Sequence, residues 1–204
     1  FIAVVLGLVE GATEFLPVSS TGHLIVAGSL LKFTGARAAT FEVVIQIGAI
    51  LAVMWHYRTT LARMVRHSFV RGPEQRLTLN VIVAFLPAAV LGFLLIDLIK
   101  AHLFTTGVVA WALVIGGLVM LWLEWRRPVT TAADLGDVRW TQALVIGLAQ
   151  CLAMVPGTSR AAATILGGYA AGLSRPAATG FSFLLAIPAV VGGEAIELWK
   201  SGRW

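Results

Sequence analysis

The chain opens with FIAVVLGLVEGATEFLPVSSTGHLIVAG, residues 1–28, an apolar stretch that contains two glutamates. Glu10 and Glu14 are four residues apart, so they lie on one face of a helix. A carboxylate within hydrocarbon is costly unless it is compensated, and such a residue usually has a function. Pro17 then interrupts the helix, and hydroxyl residues and His23 follow. The pattern predicts a broken helix that carries a catalytic or binding site at membrane depth.

The composition is that of an integral membrane protein. Of the 204 residues, 58% are hydrophobic and 12% are charged, whereas an ordinary soluble domain has about 25% charged residues. Four apolar blocks have about the length needed to cross a bilayer, and two more are shorter or interrupted. The four blocks are 41–57, 77–99, 106–125 and 177–199, and the interrupted ones are 1–31 and 140–173. We predict an all-α, polytopic helical bundle that forms a single transmembrane domain over residues 1–204.

The positive charges indicate an orientation. A net charge of +5 could suggest a nucleic-acid binder, but the basic residues lie in short loops between apolar blocks, which is how membrane topology is encoded. Segment 58–76 is rich in arginine and has Glu74 as its one acidic residue, and Arg126, Arg127 and Arg139 follow the block 106–125. We therefore predict that these two loops are cytoplasmic and that nucleic acid is not a partner.

A second interruption resembles the first. PGTSR, residues 156–160, follows an apolar half-helix that contains Gly147, as the first interruption follows one that contains Gly7. Helices broken at membrane depth are tolerated only where the freed backbone is buried or lines a wet cavity. Corresponding interruptions in two halves of a chain indicate an internal, often inverted, repeat with its site at the repeat interface. We predict two broken or re-entrant helix pairs, in half-repeats of about 1–100 and 105–204.

The hydroxyl residues at the two breaks indicate an anion site. A new half-helix begins just after them, so Ser19 or Ser20, and Thr158 or Ser159, can cap backbone N–H groups or leave these groups free to bind a ligand. Helix N-termini attract anions, and the planar guanidinium of Arg160 suits phosphate oxygens bidentately. Together the breaks predict a phosphate or similar oxyanion as ligand.

The glutamates then have two open roles. Glu10 and Glu14 would repel a bare phosphate, but a divalent cation such as Mg²⁺ could bridge the carboxylates and phosphate oxygens. Alternatively, one buried glutamate is a general base. His23 follows Ser20 by about one turn, a suitable spacing for exchanging a proton with a hydroxyl nucleophile or a leaving group. Arg160 could also be a counter-ion of the glutamates, which is compatible with a catalytic role.

These motifs carry a resemblance to a known family. EGATEFLPVSSTGHL, residues 10–24, resembles the first signature of the undecaprenyl-diphosphate phosphatases, the bacitracin-resistance proteins of bacterial membranes, and PGTSR resembles their second. FEVVIQIGAILAV, residues 41–53, and FSFLLAIP, residues 181–188, are similar to the family too. The resemblance implies hydrolysis of undecaprenyl diphosphate to undecaprenyl phosphate and inorganic phosphate. It also implies the bacterial inner membrane, a site that opens to the extracytoplasmic side, and a divalent cation, Mg²⁺ or Ca²⁺.

The resemblance assigns roles to individual residues. Glu10 and Glu14 become the essential acids and metal ligands, Ser20 and His23 a nucleophile and its proton-transfer partner, and Arg160 an anchor of the diphosphate. The residues that are then expected to bind substrate are Ser19, Thr21, Gly157, Thr158 and Ser159. The implied partners are undecaprenyl diphosphate and membrane lipid, with a homodimer left open. Attack by serine and attack by a metal-activated water both remain open.

Two departures from the family pattern bear on activity. Residues 161–164 read AAAT where the family usually has SGAT, which removes a hydroxyl and a glycine. The family usually continues through further C-terminal helices, so we expect this chain to be a piece of a longer protein. A catalytically inactive relative is therefore an alternative. Another is a polyprenyl-phosphate flippase or ion-coupled transporter, because repeated broken helices with intramembrane acids also fit carriers.

Three further residues are open to more than one interpretation. Glu42 and Gln46 lie one turn apart in an apolar block and could line the site or hydrogen-bond between helices; we favour the structural role. Cys151 is the one cysteine and cannot form an internal disulfide, so we interpret it as a small core residue.

Overall fold

A computed structural model of the protein describes residues 1–103 and 105–201, with residues 36, 37, 39, 40, 43, 96, 97, 100 and 194–201 described by their backbone only. The described part consists mainly of α-helices, which confirms the predicted all-α class. The helices are α1 (Ile2–Thr13), α2 (Ser20–Leu30), α3 (Ala36–His56), α4 (Arg58–Arg66), α5 (Pro73–Leu103), α6 (Thr106–Arg126), α7 (Trp140–Gln150), α8 (Arg160–Ala170) and α9 (Arg175–Ser201). Short 3₁₀ turns lie at Leu135–Asp137 and Cys151–Met154.

Three helices within the described residues are long and apolar enough to cross a membrane: Pro73–Leu95, Thr106–Arg126 and Arg175–Gly193. In α6 the side chains of Leu121 and Trp125 are 69% and 78% exposed, a surface that suits lipid and not water. These helices support the prediction of a multi-pass membrane protein. The predicted block 41–57 lies in α3, whose described apolar part, Val44–His56, is shorter than a membrane span.

The interior of the bundle lies between α5, α7, α8 and α9. Ala84, Ile146 and Phe181 have no exposed surface. Gly147 brings α7 onto α5, because an added Cβ there would lie 2.5 Å from the carbonyl oxygen of Ala84. Small residues of this kind let helix backbones approach closely where lipid removes the hydrophobic driving force. The α5–α7 contact therefore gives the second break a rigid support.

Buried polar groups fix α8 against its neighbours. The hydroxyls of Thr164 and Ser182 hydrogen-bond each other between α8 and α9. The Nε2 of Gln142 on α7 donates to the carbonyl of Ala171, just past the end of α8, at 2.9 Å. Because buried polar groups are costly when unpaired, these bonds favour one position of α8 in the bundle.

The two breaks have the same local construction. The hydroxyl of Ser19 accepts from the Gly22 N–H at 3.4 Å and caps α2, and the hydroxyl of Ser159 accepts from the Ala162 N–H at 3.1 Å and caps α8. Ser19 has a φ of +63°, in a region that non-glycine residues seldom adopt. Each half-helix thus begins at the hydroxyl residues, as the sequence predicts.

The two half-helices also end alike. The Phe33 N–H donates to the Gly28 carbonyl at 2.8 Å after α2, and the Leu173 N–H donates to the Gly168 carbonyl at 2.9 Å after α8. Both are the closing bond of a Schellman motif. Phe33 and Leu173 are separated along the chain by the same number of residues as Ser19 and Ser159, and so are Gly28 and Gly168. This correspondence supports a repeat of helix pairs, while its inverted orientation and the half-repeat boundaries stay predictions.

Candidate functional site

The two breaks meet in space although they are far apart in sequence. The guanidinium of Arg160, at the start of α8, donates to Oε1 of Glu14, just after α1, at 2.6 Å. The hydroxyl of Ser159 donates to the carbonyl of Leu16 at 3.5 Å. An acid from the first break and a cation from the second therefore belong to one site.

Both carboxylate oxygens of Glu14 are engaged. While Oε1 accepts from Arg160, Oε2 accepts from the hydroxyl of Ser20 at 2.6 Å. The side chains of Glu14 and Arg160 are 5% and 18% exposed. Removing one partner of a buried ion pair destabilises a protein by about 3–5 kcal/mol, because the other charge is left uncompensated. The pair therefore holds the two breaks together, and it places the Ser20 oxygen beside a proton acceptor.

Glu10 lies one helical turn before Glu14 and is 2% exposed. Its Oε2 has no hydrogen-bond partner among the described residues. Glu14, Glu42 and Arg160 all lie near enough to act on it electrostatically. A buried carboxylate oxygen without a partner is unfavourable unless a proton, a water or a cation satisfies it.

The oxygen donors around the two glutamates fit a hard divalent cation. The free Oε2 of Glu10, the carboxylate of Glu14 and the hydroxyl of Ser20 are the type of ligand that Mg²⁺ and Ca²⁺ prefer. Within the described part of the chain, no group of three or more His, Cys, Asp and Glu residues could hold a metal ion. Two carboxylates would leave coordination positions for substrate oxygens and water, which is the usual arrangement for Mg²⁺.

A cavity of about 260 Å³ lies between the two breaks, α3 and α9. Its polar wall consists of residues from the two breaks: Glu14, Ser19, Ser20, Thr21, Thr158, Ser159 and Arg160. The remaining lining residues are Gln46, Ala153, Ala189, Val190 and Gly193. The structure therefore brings most of the predicted site residues to one cavity, where acidic, basic and hydroxyl groups can act on the same anion.

His23 does not line this cavity. Its side chain is exposed, and its Nδ1 lies 2.9 Å from the carbonyl oxygen of Ser19. Among the described residues no hydrogen bond joins His23 to Ser20, whose hydroxyl is bonded to Glu14 instead. The catalytic role of His23 stays a prediction from the resemblance, whereas the structure gives Ser20 a carboxylate as its proton acceptor.

Gly157 and the alanines that follow the second motif pack behind the cavity and do not line it. Gly157 is buried with a φ of +90°, and an added Cβ would lie 2.7 Å from the Val109 carbonyl oxygen of α6. Ala161 and Ala162 are 4% and 7% exposed, in the first turn of α8. The AAAT departure therefore changes packing beneath the site, not the groups that line it.

The sequence interpretation missed two parts of the cavity. Gln46, to which the sequence analysis assigns a structural role, lines the cavity from α3. The residues Ala189, Val190 and Gly193 line it from α9. The sequence feature that could have indicated a functional role for Gln46 is that it is a polar residue within an apolar block. Nothing in the spacing indicates that α9 packs against the first break, because that contact depends on the tertiary fold.

Comparisons with known proteins show the family of the chain. The family description "Bacitracin resistance protein BacA" matches residues 3–203. The chain is 54% identical over 200 residues to the undecaprenyl-diphosphatase of Methylococcus capsulatus, covering 98% of this chain and 73% of that protein. It is 52% identical over 198 residues to the undecaprenyl-diphosphatase of Pseudomonas fluorescens, with 97% and 72% covered. The corresponding protein of Pseudomonas aeruginosa is 53% identical over 200 residues, with 98% and 72% covered.

Proposed function

This chain belongs to the family of the bacitracin resistance protein BacA, and on that basis we propose that it hydrolyses undecaprenyl diphosphate to undecaprenyl phosphate and inorganic phosphate. The observation that carries the proposal is the bonded series Arg160–Glu14–Ser20, which joins a cation, a base and a hydroxyl at the starts of two half-helices. The names of the relatives give no support to the flippase or transporter alternative.

Arg160 and the helix N-termini bind the diphosphate. One nitrogen of Arg160 is used by Glu14, and the other N–H groups of the guanidinium can donate to phosphate oxygens. The first turns of α2 and α8 carry partial positive charge, and Thr21 and Thr158 add hydroxyls to the same wall. These donors are fixed before the reaction, so they stabilise the charge that develops on the transferring phosphoryl group.

Ser20 attacks the terminal phosphorus, and Glu14 is its base. As the bond between Oγ of Ser20 and phosphorus forms, the hydroxyl proton passes to Oε2 of Glu14, 2.6 Å away. The bond from that phosphorus to the bridging oxygen breaks, and undecaprenyl phosphate leaves with the proton. Water then cleaves the phosphoserine with Glu14 as base, which releases inorganic phosphate and restores Ser20.

Glu10 and Glu14 are the residues that would hold a divalent cation. When bound, the cation neutralises charge on the phosphate oxygens and lowers the repulsion between them and the carboxylates. The support in this chain is the buried, unpartnered Oε2 of Glu10.

The protein lies in the bacterial inner membrane, with the cavity toward the extracytoplasmic side. Arg175 at the start of α9 is paired with Glu124 near the end of α6, next to Arg126 and Arg127, which the positive-inside bias assigns to the cytoplasm. Ala189 and Gly193 lie further along α9, at a helical rise that puts them roughly 20–27 Å from Arg175. That separation supports an opening on the opposite face of the bilayer.

The test is phosphate release by the purified full chain in detergent, with undecaprenyl diphosphate and Mg²⁺. Glu14→Gln removes the base and is expected to lower kcat by about 10²–10⁴-fold. Glu124→Gln, which changes an exposed glutamate outside the cavity, is the control and is expected to keep full activity. Failure of the unaltered protein to release phosphate, or full activity of Glu14→Gln, contradicts the proposed function.

A further inference from the structure

Gln150, the last residue of α7, is a buried amide without a partner. The residue is 3% exposed, and neither Oε1 nor Nε2 has a hydrogen-bond partner among the described residues. The other two buried side-chain amides of the described chain, Asn80 and Gln142, both donate to backbone carbonyls, at 2.6 and 2.9 Å. An amide that is taken out of water and left unbonded is strongly unfavourable. Gln150 therefore needs a polar partner other than the protein groups around it.

Gln150 lies where α7 passes into the 3₁₀ turn Cys151–Met154, which leads to the second break. The last carbonyls of a helix have no N–H of that helix to accept from, so hydrogen-bond acceptors are concentrated at this point. Ala153 in the turn lines the cavity, and Arg160 begins the next helix. The unpartnered amide is thus at the base of the chain segment that carries the guanidinium of the site.

α5 has an interruption of its own beside this point. Gly147 of α7 touches the backbone of Ala84 on α5, and the two helices run in the same direction, since Asn80 is bonded to a carbonyl just ahead of α7. Gln150 follows Gly147 by one turn. Pro87 follows Ala84 by one turn, and it has no N–H to donate to the carbonyl four residues before it. Both helices therefore depart from regular hydrogen bonding near the same level.

The repeat gives Gln150 a counterpart in the first half of the chain. Glu10 and Gln150 are separated by the same number of residues as Ser19 and Ser159. Oε2 of Glu10 is also the one other buried side-chain oxygen or nitrogen of the described residues that has no partner. Each half of the chain therefore has an unpartnered polar side chain at the same place ahead of its break. A carboxylate at that place suits a cation, whereas a neutral amide, which both donates and accepts, suits a water molecule.

The geometry points to a buried water bound by Gln150, which joins the end of α7 to the interruption in α5 and so fixes the second break. Buried waters typically make about three hydrogen bonds to groups that would otherwise be unpaired. The amide supplies a donor and an acceptor, and the carbonyls left free at the end of α7 and ahead of Pro87 supply further acceptors. Gln150 does not line the cavity, so it is a positioning residue that acts on the ligand through Arg160. This last step rests on the proposed function, since it takes a diphosphate to be the ligand of Arg160.

Two substitutions in the full chain test the water. Gln150→Met keeps the length of the side chain and removes its hydrogen bonds. We expect a lower unfolding temperature, because the groups that the water joins lose their partner; an amide that binds nothing would give the opposite result, since its removal relieves an unpaired polar group. Gln150→Glu should restore most of the loss, because a protonated carboxylic acid also offers a donor and an acceptor. A crystal structure at a resolution that shows waters should place one within hydrogen-bond distance of Gln150 and none at the methionine variant.

Calorimetric titration with methylenediphosphonate and Mg²⁺ tests the positioning. We expect Gln150→Met to weaken the affinity at least about tenfold, since a displaced guanidinium loses about one charge-assisted hydrogen bond to the ligand, and Gln150→Glu to stay within about twofold. Gln75→Met is the matched control, because it makes the same change at a half-buried residue in the first turn of α5, outside the cavity. It is expected to change neither the unfolding temperature nor the affinity.

The inference is overturned if the structure shows no water at Gln150, or if Gln150→Met is at least as stable as the unaltered protein. It is also overturned if Gln150→Glu behaves like Gln150→Met, if Gln75→Met has the same effect, or if methylenediphosphonate binds the methionine variant as tightly as the unaltered protein or binds neither. The expected results in a protein that does not hydrolyse undecaprenyl diphosphate would refute the proposed function and leave the inference standing.

Discussion

Glu14 has a different partner on each of its carboxylate oxygens, and this division links structure to chemistry. The bond from Arg160 joins the two breaks, and the bond from Ser20 is the one along which the proposed proton transfer runs. The guanidinium also compensates the charge of this buried carboxylate, so removing it would leave that charge without a partner. One buried residue therefore connects the stability of the site with its reactivity.

Replacing Arg160 by methionine tests that link. Arg160→Met leaves Glu14 buried without its counter-ion, so we expect a loss of about 3–5 kcal/mol in stability and a loss of phosphate release. Thermal unfolding in one detergent measures the first, and a phosphate assay the second. Arg175→Met is the control, since the exposed pair that it breaks is worth about 0–1 kcal/mol.

The double variant Glu14→Gln/Arg160→Met separates the two effects. It removes the uncompensated charge, so it should recover much of the stability and none of the activity. Equal unfolding temperatures for Arg160→Met and Arg175→Met would show that the Glu14–Arg160 pair does not hold the breaks together.

Glu10 provides a second prediction at this scale. If its free Oε2 is a metal ligand, Glu10→Gln should raise the Mg²⁺ concentration for half-maximal phosphate release by at least about tenfold, because a neutral amide is a weaker ligand. Glu74→Gln, in the first turn of α5, serves as the control. A Mg²⁺ requirement that is the same in both variants would exclude Glu10 as a ligand.

Spacing predicts which residues share a helix face but not what that face meets. The i, i+4 relation places Glu10 and Glu14 together correctly. The same kind of reasoning predicts that His23 is the proton-transfer partner of Ser20. In the structure the ring of His23 bonds to the Ser19 carbonyl, and the hydroxyl of Ser20 bonds to Glu14. The position of Gln46 could not be predicted from spacing either, because the packing of α1 and α9 on α3 decides which face of α3 meets the cavity.

At the scale of the elements, the caps could be read from the sequence because they are local. Ser19 and Ser159 each satisfy an N–H of the helix that they precede, within a few residues along the chain. The close contact between Gly157 and α6 could not be predicted from the sequence, because it involves Val109, about fifty residues earlier in the chain.

That fit leads to a prediction about one glycine. Gly157→Ala puts a Cβ 2.7 Å from the Val109 carbonyl oxygen at a φ of +90°, so the second break must move away from α6. Gly35→Ala has a φ of +87° and no heavy atom within 4 Å, and it should lose only about 1–2 kcal/mol from the left-handed conformation. We expect Gly157→Ala to have the lower unfolding temperature and far less phosphate release. Similar values for the two variants would mean that contact with α6 does not position the break.

At the scale of the whole molecule, composition is sufficient to predict an all-α membrane protein, because the long apolar helices reflect the thickness of the bilayer. The short helices are less predictable. α1 and α2, and α7 and α8, are too short to span a membrane. Serine hydroxyls cap α2 and α8, and the hydroxyl of Ser159 also bonds to the carbonyl of Leu16 at the first break. The predicted repeat interface implies that the two breaks meet, whereas the cavity between them requires α3 and α9 as well.

The orientation of the molecule leads to the last prediction. In a Cys151→Ala background, Thr21→Cys places a thiol in the cavity and Ser68→Cys places one in the arginine-rich segment that follows α4. A membrane-impermeant maleimide should label Thr21→Cys on intact spheroplasts and Ser68→Cys only after lysis. We expect this because the positive-inside bias assigns the arginines to the cytoplasmic side, and because the cavity lining on α9 lies roughly 20–27 Å from Arg175. Labelling of Ser68→Cys on intact spheroplasts would invert the assignment, and the cavity would then have to receive its substrate from the cytoplasm.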